Sequence, residues 1–189
     1  MKKQWGITLV EMIIALVLMA IAIAAFTSFL VPQIRDSALP SYQTRAVGLA
    51  QSFLSQIMAR SFDQNSDRDG GGIRCEEGTS VCTPPQALGP DSGESNPSQF
   101  NDVDDYIGCW GTPQTLSQCQ GNDRGDITDV LGESSADKYR NFRLEVSVVY
   151  DNLNSSAPYL QVTNYKKITV VIFAGYAQPL TLVAIRGNY

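Results

Sequence analysis

Residues 7–31 read ITLVEMIIALVLMAIAIAAFTSFLV, and this stretch decides the architecture of the chain. Its only charged residue is Glu11, which is followed by twenty uncharged residues, 12–31. Twenty residues in an α-helix rise about 30 Å, which is the thickness of the hydrocarbon core of a bilayer. The stretch therefore predicts a membrane-spanning helix. A carboxylate within such a helix costs about 3 kcal/mol, so its charge must be compensated.

The composition of the chain excludes several classes of function. The 189 residues carry a net charge of −5, which disfavours a nucleic-acid partner. The chain contains no histidine, so Ser-His-Asp catalysis, Cys-His catalysis and histidine-ligated zinc are excluded. We therefore expect a protein that is not an enzyme and does not bind nucleic acid.

Three interpretations of the N-terminus compete. A cleaved secretory signal peptide fits Lys2 and Lys3 and the small residues at 22–24, but the apolar stretch continues beyond that point. A plain membrane anchor fits the length of the stretch and leaves the glutamate unexplained. In the third interpretation a short basic leader ends at Gly6, and Glu11 is the fifth residue after that glycine.

The sequence KKQWG/ITLVEM resembles the class III signal of type IV pilins and of type II secretion pseudopilins. In that family a membrane aspartyl peptidase cleaves after the glycine and methylates the new N-terminal amine. The resemblance implies cleavage between Gly6 and Ile7 and N-methylation of Ile7, where the family usually has phenylalanine.

The resemblance also accounts for Glu11. Cleavage leaves a cationic amine on Ile7, and staggered subunits in a filament can bring the Glu11 carboxylate of one chain to the Ile7 amine of its neighbour. Losing one charge of such a buried pair costs about 3–5 kcal/mol. Glu11 is therefore expected to be an assembly residue whose partner belongs to another chain.

The rest of the helix is predicted to be amphipathic. Pro32 and Pro40 should kink or loosen it. From residue 41 apolar residues recur at steps of three and four, which indicates one apolar stripe. The stripe consists of Val47, Ala50, Phe53, Leu54, Ile57, Met58 and Phe62.

The C-terminal third predicts three sequential strands at 141–150, 165–174 and 180–186, which favours an antiparallel meander. The preceding residues are rich in glycine and proline turns. We predict an α+β fold in which a long N-terminal hydrophobic helix, the pilin stalk, packs on a C-terminal antiparallel β-sheet head with disulfide-stapled loops. The regions are a leader at 1–6, a transmembrane and filament-core helix at 7–31, its amphipathic second half at 32–62, a loop-rich disulfide region at 63–138 and the sheet at 139–189.

Four cysteines lie in the loop-rich region. Their even number, the absence of CxxC and the membrane-targeted N-terminus favour two disulfides in an oxidising compartment, over four free thiols. Of the three possible pairings we prefer the sequence-local one, because each pair encloses a loop with glycine or proline. The pairs are Cys75–Cys82 and Cys109–Cys119, each expected to contribute roughly 2–3 kcal/mol.

Two acidic stretches are candidate sites. Residues 65–76 match the oxygen-ligand spacing of a calcium loop, although asparagine replaces the usual first aspartate; a solvated turn is the alternative. The candidate Ca²⁺ ligands are Asn65, Asp67, Asp69 and Glu76, and no other cofactor is expected. Asp102, Asp104 and Asp105 form a second cluster, better suited to capping, loop hydrogen bonds or a cation than to acid–base catalysis.

An aromatic platform for adhesion would use Tyr106, Trp110, Tyr159, Tyr165, Tyr176 and Tyr189, with core packing as the alternative.

Three further stretches narrow the resemblance. RAVGLAQSFLSQIMARSFD at 45–63, FNDVDDYIG at 100–108 and RGNY at 186–189 resemble minor pilins of the mannose-sensitive haemagglutinin (MSHA) type IV pilus. The resemblance implies a minor pilin that is incorporated into the filament or primes it. It also implies a single inner-membrane span with a periplasmic head before assembly, and an extracellular pilus afterwards. The implied partners are major and minor pilin subunits, the prepilin peptidase, the inner-membrane assembly platform and the membrane. The alternatives are a type II secretion minor pseudopilin and an adhesive or receptor-binding tip pilin.

Overall fold

The structure is a computed structural model that describes residue 6 and residues 8–66, 74–120, 123–128, 135–154 and 160–189. The chain divides into two compact units, Met1–Ser41 and Tyr42–Tyr189. The main elements are helix α1 (Leu9–Met58) and strands β1 (Gly108–Gly111), β2 (Asp123–Asp126), β3 (Phe142–Tyr150), β4 (Tyr165–Ala174) and β5 (Leu180–Gly187). Short 3-10 helices lie at Pro85–Ala87, Asp104–Tyr106 and Leu116–Gln118.

Helix α1 includes both prolines that were expected to disturb it. Pro32 and Pro40 lie inside the helix, and neither of them ends it. A proline removes one backbone hydrogen bond, while the bonds of the neighbouring turns remain available. The helix ends at Met58, four residues before the end of the predicted region.

The second unit contains a sheet of five strands in the order β2-β1-β3-β4-β5. Strands β3, β4 and β5 follow one another and pair antiparallel, which is the predicted meander. Strand β1 pairs antiparallel with β3, and β2 pairs parallel with β1. The predicted α+β class, with a long N-terminal helix and a mostly antiparallel sheet, is confirmed.

The core of the second unit lies between the end of α1 and one face of the sheet. Phe53 is 1% exposed, and its ring contacts the rings of Tyr106 and Trp110 edge-on. Alternate residues of the strands face the same core, as the period of two in their sequence predicts. These buried strand residues are Phe142, Leu144, Val146, Val148, Ile168, Val170, Ile172 and Ala174.

Two residues of the predicted apolar stripe do not belong to the buried face of α1. Val47 is 37% exposed, whereas Ala46 and Leu49 are buried in the core. Phe62 is buried, but it lies beyond the end of the helix, in a second cluster with Tyr150 and the disulfide cysteines. The stripe is therefore rotated from the predicted one and shorter than it.

The loop-rich region contributes more structure than its composition predicts. Strands β1 and β2 both come from it, and they extend the meander to five strands. Disulfides join Cys75 to Cys82 and Cys109 to Cys119, with Cα–Cα distances of 4.8 and 5.8 Å. The second disulfide links β1 to the loop that leads to β2.

Candidate functional site

Helix α1 begins with a side-chain cap. Thr8 precedes the first helical residue, and its Oγ1 accepts a hydrogen bond from the backbone N–H of Glu11 at 3.3 Å. The N–H of Met12 donates to the carbonyl oxygen of Thr8 at 3.2 Å. A threonine followed three residues later by glutamate is the spacing of a capping box. The sequence therefore contains a signal for a local function of Glu11, in capping the helix, that was not predicted.

The charge of Glu11 is not neutralised within the part of the chain that the structure describes. Its side chain is exposed, and the four ion pairs of the described residues all lie in the second unit. A carboxylate in the first turn interacts favourably with the helix dipole, but by less than 1 kcal/mol at an exposed position. Gly6 is exposed as well, and Ile7 lies outside the described residues.

The first unit exposes a continuous apolar surface. The most apolar 18-residue window of α1 has a mean hydropathy of 2.8, and none of it is buried. Phe26 and Phe29 are 62% and 66% exposed. Exposed apolar surface of this extent indicates contact with a membrane or with a partner. Among the described residues α1 is the one helix whose length and composition would allow it to cross a bilayer.

The polar side chains within this surface are satisfied by their own helix. Thr27 Oγ1 donates to the carbonyl oxygen of Ile23 at 2.8 Å, and Ser28 Oγ donates to that of Ala25 at 2.9 Å. Such bonds leave no hydroxyl hydrogen without an acceptor in a surrounding of low polarity. Glu11 is the one charged side chain between residues 9 and 34, and no bond within the described part of the helix satisfies its charge in the same way.

The second unit contains a buried charge network centred on Lys166. The side chain is completely buried, and Nζ donates to Phe62 O at 2.7 Å, Asp63 Oδ2 at 3.2 Å and Asp104 Oδ1 at 2.6 Å. The two carboxylates also accept backbone N–H groups, from Thr83 and Gly89 respectively. The network therefore ties the residues after α1, two loops and β4 to one another.

Asp102 and Asp105, the other members of the predicted acidic cluster, are also buried. Burial, together with the charges of Asp104 and Asp105, raises the pKa of Asp102 to about 9, although the charge of Lys166 opposes the shift. Burial raises the pKa of Asp105 to about 7, although hydrogen bonds from the N–H groups of Asp102 and Asn101 oppose the shift. These contacts organise a loop, and they match the loop hydrogen bonding that was preferred over acid–base catalysis.

Sequence reasoning missed Lys166, although the sequence contains a signal for it. The buried residues of β4 are at even positions, and Lys166 is in phase with Ile168 and Val170. Lys167 occupies the opposite phase and pairs with Asp151 at 3.2 Å. The alternation of the strand thus places one of two adjacent lysines in the core, where only buried acceptors make it tolerable.

The predicted calcium loop is described in part. Asn65 Nδ2 donates to the carbonyl oxygen of Val81 at 2.8 Å, and Glu76 Oε1 accepts the N–H of Cys82 at 3.1 Å. Asp67 and Asp69 lie outside the described residues. Calcium at this loop therefore stays a prediction.

The aromatic residues proposed as an adhesive platform do not share one environment. Tyr106 and Trp110 are buried in the core, whereas Tyr176 and Tyr189 are 96% and 84% exposed. Tyr165 is 37% exposed, and Tyr159 lies outside the described residues. Two of the six residues therefore belong to core packing.

A comparison with known protein families identifies the N-terminal segment. The family described as the prokaryotic N-terminal methylation motif matches residues 1–27, which include Gly6, Glu11 and the start of the apolar surface. The match supports a type IV pilin-like or pseudopilin protein; proteins with this motif are processed by prepilin peptidase and assemble with other pilins. No curated protein and no solved structure matches the chain.

Proposed function

We propose that this chain is a minor pilin of an MSHA-type type IV pilus, with the role of the minor pilin MshD in that system. The observation that carries the proposal is the exposed apolar surface of α1, which begins within a methylation motif and contains one charge, Glu11. A helix of this kind is unstable in water and needs first a bilayer and then other helices of the same kind. The subunit is structural and has no catalytic activity.

Processing converts the membrane form into the assembling form. Lys2 and Lys3 hold the leader on the cytoplasmic side, which places the head in the periplasm. Cleavage between Gly6 and Ile7 then creates an amine four residues before Glu11, and methylation leaves that amine cationic. In the filament the amine of one subunit and the Glu11 carboxylate of its neighbour form a buried pair, which sets the axial register.

The assignment to the MSHA type rests on the head. The three stretches that resemble MSHA minor pilins, 45–63, 100–108 and 186–189, all contribute to the structure of the second unit. Phe53 packs on Tyr106, and Asn188 Nδ2 donates to the carbonyl oxygen of Cys75 at 3.1 Å. The resemblance therefore lies in residues that hold the head together, as expected between proteins that share a head fold.

The N-terminal peptide of the membrane-extracted protein tests the processing step. Mass spectrometry should find a peptide that begins at Ile7 and carries the additional mass of one methyl group. A peptide that begins at Met1 would indicate a plain anchor, and one that begins after Ala24 would indicate a secreted domain. Either result would contradict the proposal.

Deletion of the gene tests the finer assignment. Loss or alteration of pili with intact type II secretion supports a minor pilin. Loss of secretion with normal pili would identify a minor pseudopilin instead, and normal pili that fail to attach would identify an adhesive tip subunit.

A further inference from the structure

Another acidic cluster of the head shares Asp105 with the predicted one and lies beside the Lys166 network, because the charge of Asp91 interacts with those of Asp63 and Asp104. Asp91, Glu94 and Asp105 each place one carboxylate oxygen within 4.8 Å of the other two. No ion pair among the described residues involves any of them. The charge of Arg124 interacts with that of Asp105, and its Nε donates to the carbonyl oxygen of Ile107 at 2.7 Å. Three ionised carboxylates within this distance repel one another, and a proton shared by Asp105 and Glu94 or a bound cation relieves the repulsion.

The hydrogen bonding of Asp105 points to a missing ligand. Asp105 is 0% exposed, and its Oδ2 accepts the N–H groups of Asn101 at 2.7 Å and Asp102 at 3.0 Å. Its Oδ1 is buried and has no hydrogen-bond partner among the described residues. A buried acceptor without a partner costs about 1–3 kcal/mol, and more when it is charged. The orientation of this carboxylate is therefore fixed by the backbone while one oxygen remains free.

A second buried oxygen without a hydrogen-bond partner in the described part of the head belongs to Asn101, a residue that contacts the cluster. The Nδ2 of Asn101 donates to Oε1 of Glu94, which holds the asparagine side chain against the cluster. The Oδ1 of Asn101 is also buried and has no hydrogen-bond partner among the described residues. Two buried oxygens to which no described residue donates a hydrogen bond, one from Asp105 and one from Asn101, are thus available to a ligand.

The three carboxylates suit a calcium ion. Calcium takes six to eight oxygen ligands at about 2.3–2.6 Å in a flexible geometry, so carboxylate oxygens within 4.8 Å of one another can share one ion. Magnesium requires a near-ideal octahedron and usually keeps several waters with only one or two carboxylates, so a group of three carboxylates favours calcium. We propose that Asp91, Glu94, Asp105 and the Oδ1 of Asn101 bind one Ca²⁺, with water completing the coordination.

The ion would join two parts of the head. Asp91 and Glu94 belong to a tight turn closed by backbone hydrogen bonds, and both are partly exposed, so solvent reaches the site. Asp105 belongs to the segment whose Tyr106 packs on Phe53 of α1. Bound calcium therefore fixes the exposed turn to the core segment, and this function is independent of pilus type.

Calcium titration of the full-length protein in detergent tests the site. After treatment with EGTA, isothermal titration with CaCl₂ should show wild-type binding with a Kd of about 10⁻⁴–10⁻³ M or tighter, as in extracellular modules. Glu94→Gln should raise the Kd at least about tenfold. Glu77→Gln, an exposed glutamate in another loop, is the matched control and should bind as the wild type does. Asp69→Asn, which alters the predicted loop at 65–76, should also leave this binding unchanged.

The thermal unfolding midpoint separates lost binding from lost folding. In EGTA Glu94→Gln should unfold cooperatively near the wild-type temperature, because removal of one repelling charge offsets the loss of one of the two acceptors that serve Asp91 N and Asn101 Nδ2. Calcium should raise the midpoint of the wild type alone. Absence of wild-type binding, or equal binding by Glu94→Gln, would overturn the proposal. Loss of binding in Asp69→Asn alone would assign the ion to the other loop and overturn it as well.

Discussion

Lys166 brings a positive charge into the core of the head, where every N–H of its ammonium group has an acceptor. Two of the three acceptors are carboxylates, from Asp63 and Asp104, and both of these are also buried. A buried ion pair adds little net stability, because both partners lose their hydration. Its importance lies in the cost of breaking it, since the remaining charges are then buried without compensation.

We therefore predict that Lys166→Met destabilises the head by about 3–5 kcal/mol. Methionine preserves most of the side-chain volume, so the loss would come from the two carboxylates and not from a cavity. The midpoint of thermal unfolding of the full-length protein in detergent, followed by tryptophan fluorescence, measures the change.

Lys167→Met is the matched control on the same strand. The Lys167 side chain is 24% exposed, and its pair with Asp151 is expected to contribute at most about 1 kcal/mol. A triple variant in which Asp63→Asn and Asp104→Asn accompany Lys166→Met should recover part of the loss. Equal destabilisation by the two lysine substitutions would contradict the prediction, because it would show that breaking the buried ion pairs of Lys166 costs no more than breaking a partly exposed one.

Some of the candidate functional residues could be predicted from the sequence and others could not, for physical reasons. Glu11 is conspicuous in the sequence because it is one charge in an apolar stretch. The cluster of Asp91, Glu94 and Asp105 is not conspicuous, since Asp105 lies in a 3-10 helix and is eleven residues from Glu94 and fourteen from Asp91. The period and spacing of apolar residues predict only helices and strands long enough to repeat a pattern. Neither the turn with Asp91 and Glu94 nor the short 3-10 helix with Asp105 has such a repeat.

At the scale of elements, residues 42–58 of α1 give the head its core. Phe53 lies at the centre of an aromatic cluster, with ring centroids 5.8 Å from Tyr106 and 5.4 Å from Trp110. Edge-to-face contacts of this kind add to the burial of apolar area. The packing of this segment is therefore the main link between the helix and the strands of the second unit.

Phe53→Ala should destabilise the head by about 3–5 kcal/mol, because a large side chain is lost from a site that cannot collapse easily.

Val47→Ala tests whether Val47 lies outside the apolar stripe of α1, as the structure shows. Val47 is 37% exposed, so its truncation should change stability by less than about 0.5 kcal/mol. Urea unfolding of the full-length protein measures both variants, and a comparable loss in Val47→Ala would support the stripe predicted from sequence.

The elements that the sequence predicted well are those with a long repeat. Strand β4 alternates buried and less buried residues over all ten positions, and β3 does so from Leu144 onwards; both strands were located to within one residue. Strand β1 has four residues, all buried, and therefore no alternation to detect. Strand β2 has the sequence DRGD, which is typical of a turn, and it is a strand because it pairs with β1. Tertiary contacts overrode local preference at both.

At the scale of the whole molecule, the two units differ in what covers their apolar residues. The second unit has a core of its own, whereas the most apolar window of the first unit has no buried residue. Hydropathy and length predicted the apolar helix of the first unit directly, because both are properties of one continuous segment and need no tertiary contact. The pilin interpretation then assigns Glu11 to contacts between subunits, which no single chain contains.

Glu11→Val separates this assembly function from the local cap. The backbone N–H of residue 11 donates to Thr8 Oγ1, and valine keeps this N–H, so the variant keeps the start of the helix. Removing the carboxylate also lowers the cost of membrane insertion by about 3 kcal/mol. We therefore expect the variant to be inserted and to accumulate in the membrane fraction at least as well as the wild type.

In the filament, by contrast, the Ile7 amine of the neighbouring subunit would be buried without its partner. A loss of 3–5 kcal/mol corresponds to more than about 100-fold, so Glu11→Val should be nearly absent from sheared pili when the two fractions are compared by quantitative immunoblot. Ser28→Ala is the control within the same span, because Ser28 bonds its own helix and has no charge to pair; it should be incorporated normally. Wild-type amounts of Glu11→Val in the pili would mean that Glu11 serves only the helix start, and the pairing between subunits would be wrong.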